Sequence, residues 1–311
     1  MKKLSFLFLL SGVFVLFSLN LTAQRTGGQI TKGNNKANGG IIISVLGTGS
    51  VTVNDLVEEI IGTGVTYSNV SYTGANDASG LFSGGASGGL TLEHGTILSS
   101  GWAINIIGPN QLSDITAENN TSGDADLDNL IPQNTFDAAI LEFDFVPTEP
   151  QLAISYIFGS DEYNEYVNSE YNDVFAFFLD GTNIALLPNT STPVSINNVN
   201  NGNAGEWIVA TGPCTNCSFY YDNSNSSQNN EMDGHTIKIT STVTLTPNVT
   251  HHIKLAIADA GDEDLDSWVI IEGDSFGAPP PPVVPVSNWA LIFGVFLISI
   301  FMVVRYRRNL A

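Results

Sequence analysis

From Leu141 onward, apolar and polar positions alternate with a period of two. Leu141, Phe143 and Phe145 alternate with Glu142 and Asp144, and Ile154, Tyr156 and Phe158 continue the pattern. Successive side chains of a strand point to opposite faces, so these runs predict half-buried β-strands. Asp173 to Asp180 (DVFAFFLD) is apolar on both faces, the pattern of a central sandwich strand. Ile237, Ile239, Val243 and Leu245 alternate with Lys238 and Thr244; Pro247-Asn248 then turns the chain into Ile253, Leu255 and Ile257. Trp268 to Glu272 predicts a last strand. Helical period occurs in Val53 to Ile61, where Leu56, Val57, Ile60 and Ile61 share one face, Asp55 suits the N-terminus and Gly62 ends the run. Short strands separated by Gly, Pro and Asn turns predict an all-β fold, an antiparallel β-sandwich or jelly-roll-like domain with one short N-terminal helix.

The two ends break this pattern. Lys2 and Lys3, the apolar stretch Leu4 to Leu19 and the small-residue site Leu21-Thr22-Ala23 have the three-part form of a secretory signal peptide over residues 1–23. Residues 24–40 are rich in Gly, Asn and Lys and read as a flexible leader. The body is then 41–276. Residues 277–285 (GAPPPPVVP) form a stiff linker, since consecutive prolines hold polyproline II geometry. Beyond it, Trp289 to Val304 is uncharged and is closed by Arg305, Arg307 and Arg308. Counted from Val286 to Tyr306, the run spans about 30 Å as a helix, with aromatic rings at both ends. A C-terminal transmembrane helix within 286–311 is therefore predicted, its C-terminus cytoplasmic by the positive-inside rule. The expected product is exported and held at the cell surface by the membrane, or secreted after its tail is processed.

Charge narrows the function classes. The chain of 311 residues carries 10 Lys+Arg against 31 Asp+Glu, a formal charge of −21. Setting aside the signal and tail leaves Arg25, Lys32, Lys36, Lys238 and Lys254 facing every acid in the protein. Nucleic acid is excluded as a partner, because a phosphate backbone requires a basic face. A compact body of this charge must tolerate self-repulsion, which bound divalent cations would relieve.

The acids are clustered. Asp124, Asp126 and Asp128 form one group; Asp161, Glu162 and Glu165 with Asn172 and Asp173 form a second; Asp259, Asp262, Asp264 and Asp266 form a third. Calcium takes 6 to 8 oxygen ligands from carboxylates, amides and carbonyls, so these groups suit Ca2+ by chemistry. The first is no EF-hand, having Asn129 and Thr135 where that loop needs Gly and Glu. The second and third both follow strong strands, which predicts that Asp161, Glu162, Glu165, Asn172, Asp173, Asp259, Asp262 and Asp266 project at one end of the sandwich and hold the metal.

Other chemistry is thinner. Cys214-Thr215-Asn216-Cys217 is open to three readings: a redox pair, half a zinc site, or a local disulfide. No second CxxC exists to complete a zinc site, and the following Ser218 to Tyr221 suggests a strand where a redox motif needs a helix, so the disulfide is expected. His251 is in phase with Ile253 and Leu255 and reads as a core or edge histidine. The chain contains no GxSxG or HExxH, and the stretch 84–89 lacks the GK[ST] ending of a phosphate loop.

Several segments together resemble the choice-of-anchor L family of bacterial surface proteins: Val70 to Gly80, Gly123 to Asp128, Phe136 to Val146, Tyr156 to Gly181, His252 to Asp262 and Asp266 to Phe276. The tail, Val284 to Trp289 followed by the apolar run and RYRR, resembles the sorting tails handled by exosortase-type enzymes. These resemblances imply an exported, surface-attached domain and a sorting peptidase as a possible partner of the tail, and they add no catalytic residue. The expected function is a calcium-stabilised binding or adhesion module for an extracellular glycan or surface protein. A secreted polysaccharide hydrolase and a mechanical surface-coat protein are the alternatives.

Overall fold

The computed structural model describes residues 40–202 and 213–279, together with 293, 296–302 and 305–306 of the tail. The signal peptide and the leader lie outside the described residues. Thirteen strands form among those described: β1 (Ile42–Val45), β2 (Val65–Thr73), β3 (Ser79–Ser83), β4 (His94–Ser99), β5 (Thr135–Pro147), β6 (Gln151–Ser160), β7 (Val174–Leu179), β8 (Thr182–Asn183), β9 (Tyr220–Asp222), β10 (Gly234–Thr236), β11 (Ile239–Thr244), β12 (His251–Ala260) and β13 (Ser267–Glu272). Two short α-helices join them, α1 (Val53–Ile60) and α2 (Ala125–Asp128).

The strands make two antiparallel sheets. The larger runs β1-β3-β4-β13-β6-β10-β9, with β11 also paired to β6; the smaller runs β2-β5-β12-β7-β8. Inward side chains of both fill one core: Leu141, Phe143 and Phe145 from β5, Phe175 and Phe177 from β7, Ile154, Tyr156 and Phe158 from β6, and Val269 and Ile271 from β13. Edge-to-face rings knit its centre, with Tyr156 5.1 Å from Phe175 and 5.0 Å from Phe177. Helix α1 closes the core beside β4. Its buried Leu56, Val57 and Ile60 are three of the four that share a face in the sequence, the fourth, Ile61, being the half-buried C-cap, and Thr52 and Asp55 form a reciprocal capping box at its start.

Two sequence expectations are corrected here. Strand β7 is buried on both faces, yet it is not central: only the two-residue β8 lies beyond it. Its second face, Val174, Ala176 and Phe178, is covered by Leu127 and Ile131 from the excursion around α2. A run apolar on both faces reports cover on both sides, and a loop provides it as well as a neighbouring layer does.

The second correction concerns the tail. Among the described residues no helix is long and apolar enough to cross a membrane. The sequence count runs across Val286 to Tyr306, whereas the longest described helical stretch there is 296–302. The expected transmembrane helix within 286–311 is overturned on that ground.

Candidate functional site

The sheet register gathers carboxylates at one end of the sandwich. In the larger sheet, Ser160 of β6 pairs with Ser267 of β13 on one side and with Gly234 of β10 on the other. One step beyond, Asp161 stands between Asp266 and Asp233, and its N–H donates to the Asp266 carbonyl at 3.1 Å. Residues opposite one another in an antiparallel pair project to the same side, so this row sets three like charges close together. The smaller sheet repeats the arrangement. Ala258 of β12 pairs with Val174 of β7, which brings Asp259 opposite Asp173.

These side chains are withdrawn from solvent. Asp137, Asp161, Glu162, Asp173, Glu231, Asp233, Asp259 and Asp266 are all buried, and no Lys or Arg is among the described buried residues. Backbone and amide donors line the carboxylates instead. Asp266 accepts from the N–H of Ala117 (2.8 Å) and of Trp102 (3.4 Å), and from Asn105 Nδ2 (3.1 Å). Position 101 must be glycine, because a Cβ there would overlap the Asp266 carboxyl. Asp161 Oδ2 accepts from the Ile115 N–H at 2.9 Å. The segment 115–117 thus threads over the row, giving one donor to Asp161 and one to Asp266. Asp173 accepts from the Ala260 N–H (2.9 Å) and from Ser267 Oγ (2.6 Å), which ties the two sheets together. Asp137 accepts from the N–H groups of Asn119 (2.7 Å) and Thr121 (2.6 Å).

The donors do not satisfy every oxygen. Asp161 Oδ1 and Asp259 Oδ1 are buried without a hydrogen-bond partner, as is Asn105 Oδ1 beside Asp266. Burial pushes all four principal carboxyls up, because the charged form loses its hydration. Asp266 rises to about 7 against its three donors. Asp233 rises to about 8, through burial and then through Glu165, Glu231 and Asp222, against its Asn110 bond. Asp161 is held well above the usual carboxylate range by burial and then by Asp233, and Asp259 by burial and then by Asp173 and Asp266. His235, itself buried, is shifted down by desolvation and so remains neutral; it bonds the Thr236 carbonyl and Gln228.

Of the residues singled out in the sequence, the fold brings Asp161, Asp173, Asp259 and Asp266 to this end. Glu162 is buried beside them, its N–H on Ser160 Oγ at 2.9 Å. Asn172 spends its amide oxygen on the Asn197 N–H (2.8 Å). Asp262 is only half-buried, and accepts from the Asp264 N–H at 3.4 Å. Glu165 faces Asp222 and is raised by burial. The first acidic cluster serves another purpose: Asp124 caps α2 and, with Asp126, holds Lys254 at 2.6 and 2.7 Å.

Sequence reasoning missed Asp137, Glu231, Asp233 and the amides Asn105 and Asn110. Glu231 and Asp233 sit in an Asn/Ser-rich stretch that looks like solvated loop; the only signal is their spacing on either side of Met232, which is fully buried. Among the described residues no three or more His, Cys, Asp or Glu side chains are grouped as a ready metal cage. A cation here would take its remaining oxygens from carbonyls, amides and water. Cys214 and Cys217 are joined, with an S–S distance of 2.07 Å, on the approach to β9.

At the opposite end lies an open groove of about 810 Å3, bordered by Gly62, Ser155, Lys238, Thr240, Glu272 and Asp274. Lys238 and Glu272 bond across it at 3.0 Å.

Residues 45–277 match the family model described as the choice-of-anchor L domain, which covers well over half of the chain. No curated protein and no solved structure matches it.

Proposed function

Starting from the fact that the chain belongs to the choice-of-anchor L domain family, a family of surface-associated proteins, we propose that it is an exported binding or adhesion module, stabilised by calcium and without catalysis. Its ligand is an extracellular glycan or a surface protein. The observation that carries the reading is the buried acid end. Asp161 and Asp259 each keep a buried oxygen with no hydrogen-bond partner, among carboxylates with no described buried Lys or Arg nearby. Burying a bare carboxylate costs several kcal/mol, so such groups are kept protonated or are matched by a cation. A hard cation preferring oxygen suits the set, which offers carboxylates and the free amide oxygen of Asn105.

The same burial supports a non-catalytic role. A polysaccharide hydrolase presents two carboxyl groups to a polymer across an open cleft. Here the gathered carboxylates are closed off from solvent, and the open groove is at the other end, where Glu272 is already bonded to Lys238.

Thermal unfolding in millimolar calcium, in matched magnesium and in chelator tests the stabilisation. Calcium should raise the midpoint, by about 2.7 kcal/mol of stability at a hundredfold excess over Kd. Equal midpoints in all three would sink the calcium reading. A glycan-array and cell-surface binding screen with and without chelator tests the ligand class, and cleavage of any arrayed glycan would replace binding by hydrolysis.

A further inference from the structure

The groove at the far end from the buried acids comes from a break in one ladder. Strands β6 and β13 pair as far as Tyr156↔Ile271, where their register ends. The Ser275 hydroxyl bridges the next two residues, accepting the Ser155 N–H at 3.1 Å and donating to the Glu272 carbonyl at 2.7 Å. Pairing resumes at Ala153↔Gly277. Over 272–277 the chain takes five steps where β6, from 155 to 153, takes two, and the surplus forms one wall of the groove. That wall is held in place. The Asp274 N–H donates to the Glu59 carbonyl (3.0 Å) and the Phe276 N–H to the Ile60 carbonyl (2.8 Å), while the Phe276 ring is buried in the core. A cleft built into the fold spares a ligand the cost of ordering it.

We infer that this groove is where the module holds its ligand, and that the ligand is an uncharged oligosaccharide. The inference rests on the binding-module reading above and gives that reading a site. On the floor, Ser155 Oγ and Thr240 Oγ1 bond one another at 2.9 Å. A hydroxyl carries one donor and two acceptor positions, so the pair keeps one O–H and spare lone pairs for a ligand. Lys238 Nζ reaches both Glu272 oxygens, at 3.0 and 3.2 Å, yet the two side chains stay 37% and 28% exposed. An ammonium has a third donor and a carboxylate further acceptor positions. Two hydroxyls on adjacent carbons of a sugar ring, each both donor and acceptor, match this pairing of a donor with an acceptor. Charge and shape narrow the class. Lys238 is offset by Glu272, and Asp274 on the wall is exposed, so the local field disfavours anions. Among the described residues no aromatic side chain lines the groove, which removes the anchors that protein partners favour. The volume of about 810 Å3 falls within the roughly 300–1,000 Å3 of small-ligand sites.

An array of uncharged and uronate-bearing oligosaccharides, probed with the full chain, should retain it on uncharged members and not on their acidic counterparts. Calorimetric titration with an uncharged oligosaccharide so identified then locates the site. Lys238→Met and Glu272→Gln should each weaken binding roughly tenfold or more, the loss expected for one hydrogen bond to a charged group. Thr240→Trp, which fills the floor, should abolish it, and Lys254→Met, which removes a lysine outside the groove, should leave it unchanged. The thermal midpoint reports whether each variant is folded, and Thr240→Val, which keeps the size and loses the hydroxyl, substitutes for Thr240→Trp if the latter is not. Equal affinity in the parent and all the groove variants would overturn the groove as the site while leaving a glycan-binding module standing. Retention on uronates alone, or on surface proteins and no glycan, would overturn the uncharged oligosaccharide and leave only the binding reading. Retention on neither glycans nor surface proteins would remove both.

Discussion

The two ends of the sandwich treat negative charge in opposite ways. At the groove end, acids lie at the surface with a base in reach: Glu59 with His94 at 2.6 Å, Asp180 with His251 at 2.6 Å, Asp144 with His252 at 2.9 Å, Glu272 with Lys238. At the other end they are buried, register sets them side by side, and the donors that meet them are neutral backbone and amide groups. Exposed pairs contribute little and are screened by salt, whereas buried like charges dominate whatever surrounds them. The fold thus concentrates its electrostatic cost at one end. That end should govern how stability responds to calcium and to pH, while the groove end should respond only weakly and the core not at all.

A core substitution calibrates this contrast and should have the largest effect. Phe143 is fully buried, 5.2 Å from the Phe276 ring and 6.4 Å from Phe145. Phe143→Ala should cost about 3–5 kcal/mol through lost transfer energy and the cavity left behind. Because no carboxylate is involved, the loss measured by denaturant titration should be the same in calcium and in chelator. A loss that doubled in chelator would show that core and acid end are not separable.

The pH response in chelator comes next. Asp266, at about 7, and Asp233, at about 8, lie above their unfolded value of 3.8. Between these limits the folded state binds more protons than the unfolded one, so stability falls as pH rises. Raising the pH from 5 to 8 in chelator should therefore cost on the order of a few kcal/mol, since each tenfold difference in proton affinity between folded and unfolded chain is worth about 1.4 kcal/mol. In saturating calcium the slope should flatten, since the carboxylates stay ionised against the cation. Stability rising with pH in chelator would mean that these groups are ionised in the metal-free fold.

Asp259→Asn should change sign with conditions. In chelator the amide replaces a carboxyl that burial first, then Asp173 and Asp266, force to take up a proton on folding; that cost disappears, and the midpoint at neutral pH should rise. In calcium the same change removes a ligand and the midpoint should fall, by about 1–3 kcal/mol in each direction. Shifts of the same sign in both conditions would reduce Asp259 to a packing role.

How legible this was in the sequence follows from range. Period two disclosed β5, β6 and β12, and helical spacing disclosed α1, because both depend on neighbours a few residues apart. The second face of β7 misled, since its cover comes from Leu127, nearly fifty positions away in the chain. Asp161, one residue past β6, was readable as a carboxylate at a strand end, whereas Asp259, expected on the loop after its strand, lies within β12. Glu231 and Asp233 were not readable, since their place is set by the pairing of Gly234 with Ser160, and no local pattern encodes that pairing. The tail is corrected on a different ground: among the described residues no helix is long and apolar enough to cross a membrane.

The smallest effect belongs to the groove end, and its smallness is what the contrast requires. His252 bonds Asp144 through Nδ1 at 2.9 Å and approaches Glu142 through Nε2 at 3.4 Å, while Asn69 Nδ2 donates to Asp144 at 2.7 Å. The Asp144 bond, followed by Glu142, raises the imidazole above 6.5 even though partial burial opposes it. A raised histidine stabilises the fold fully below its unfolded value, and that contribution is lost as pH climbs through the folded one. Its side chain is 49% exposed, so solvent and salt screen most of the gain. His252→Gln should therefore lower the unfolding midpoint at pH 5.5 by roughly a degree or two, by less at pH 8, and by almost nothing in half-molar salt. Calcium and chelator should give the same values. If the variant instead abolished the calcium-dependent shift, charge at the two ends would be coupled through β12, the strand that carries His252 at its start and Asp259 at its finish.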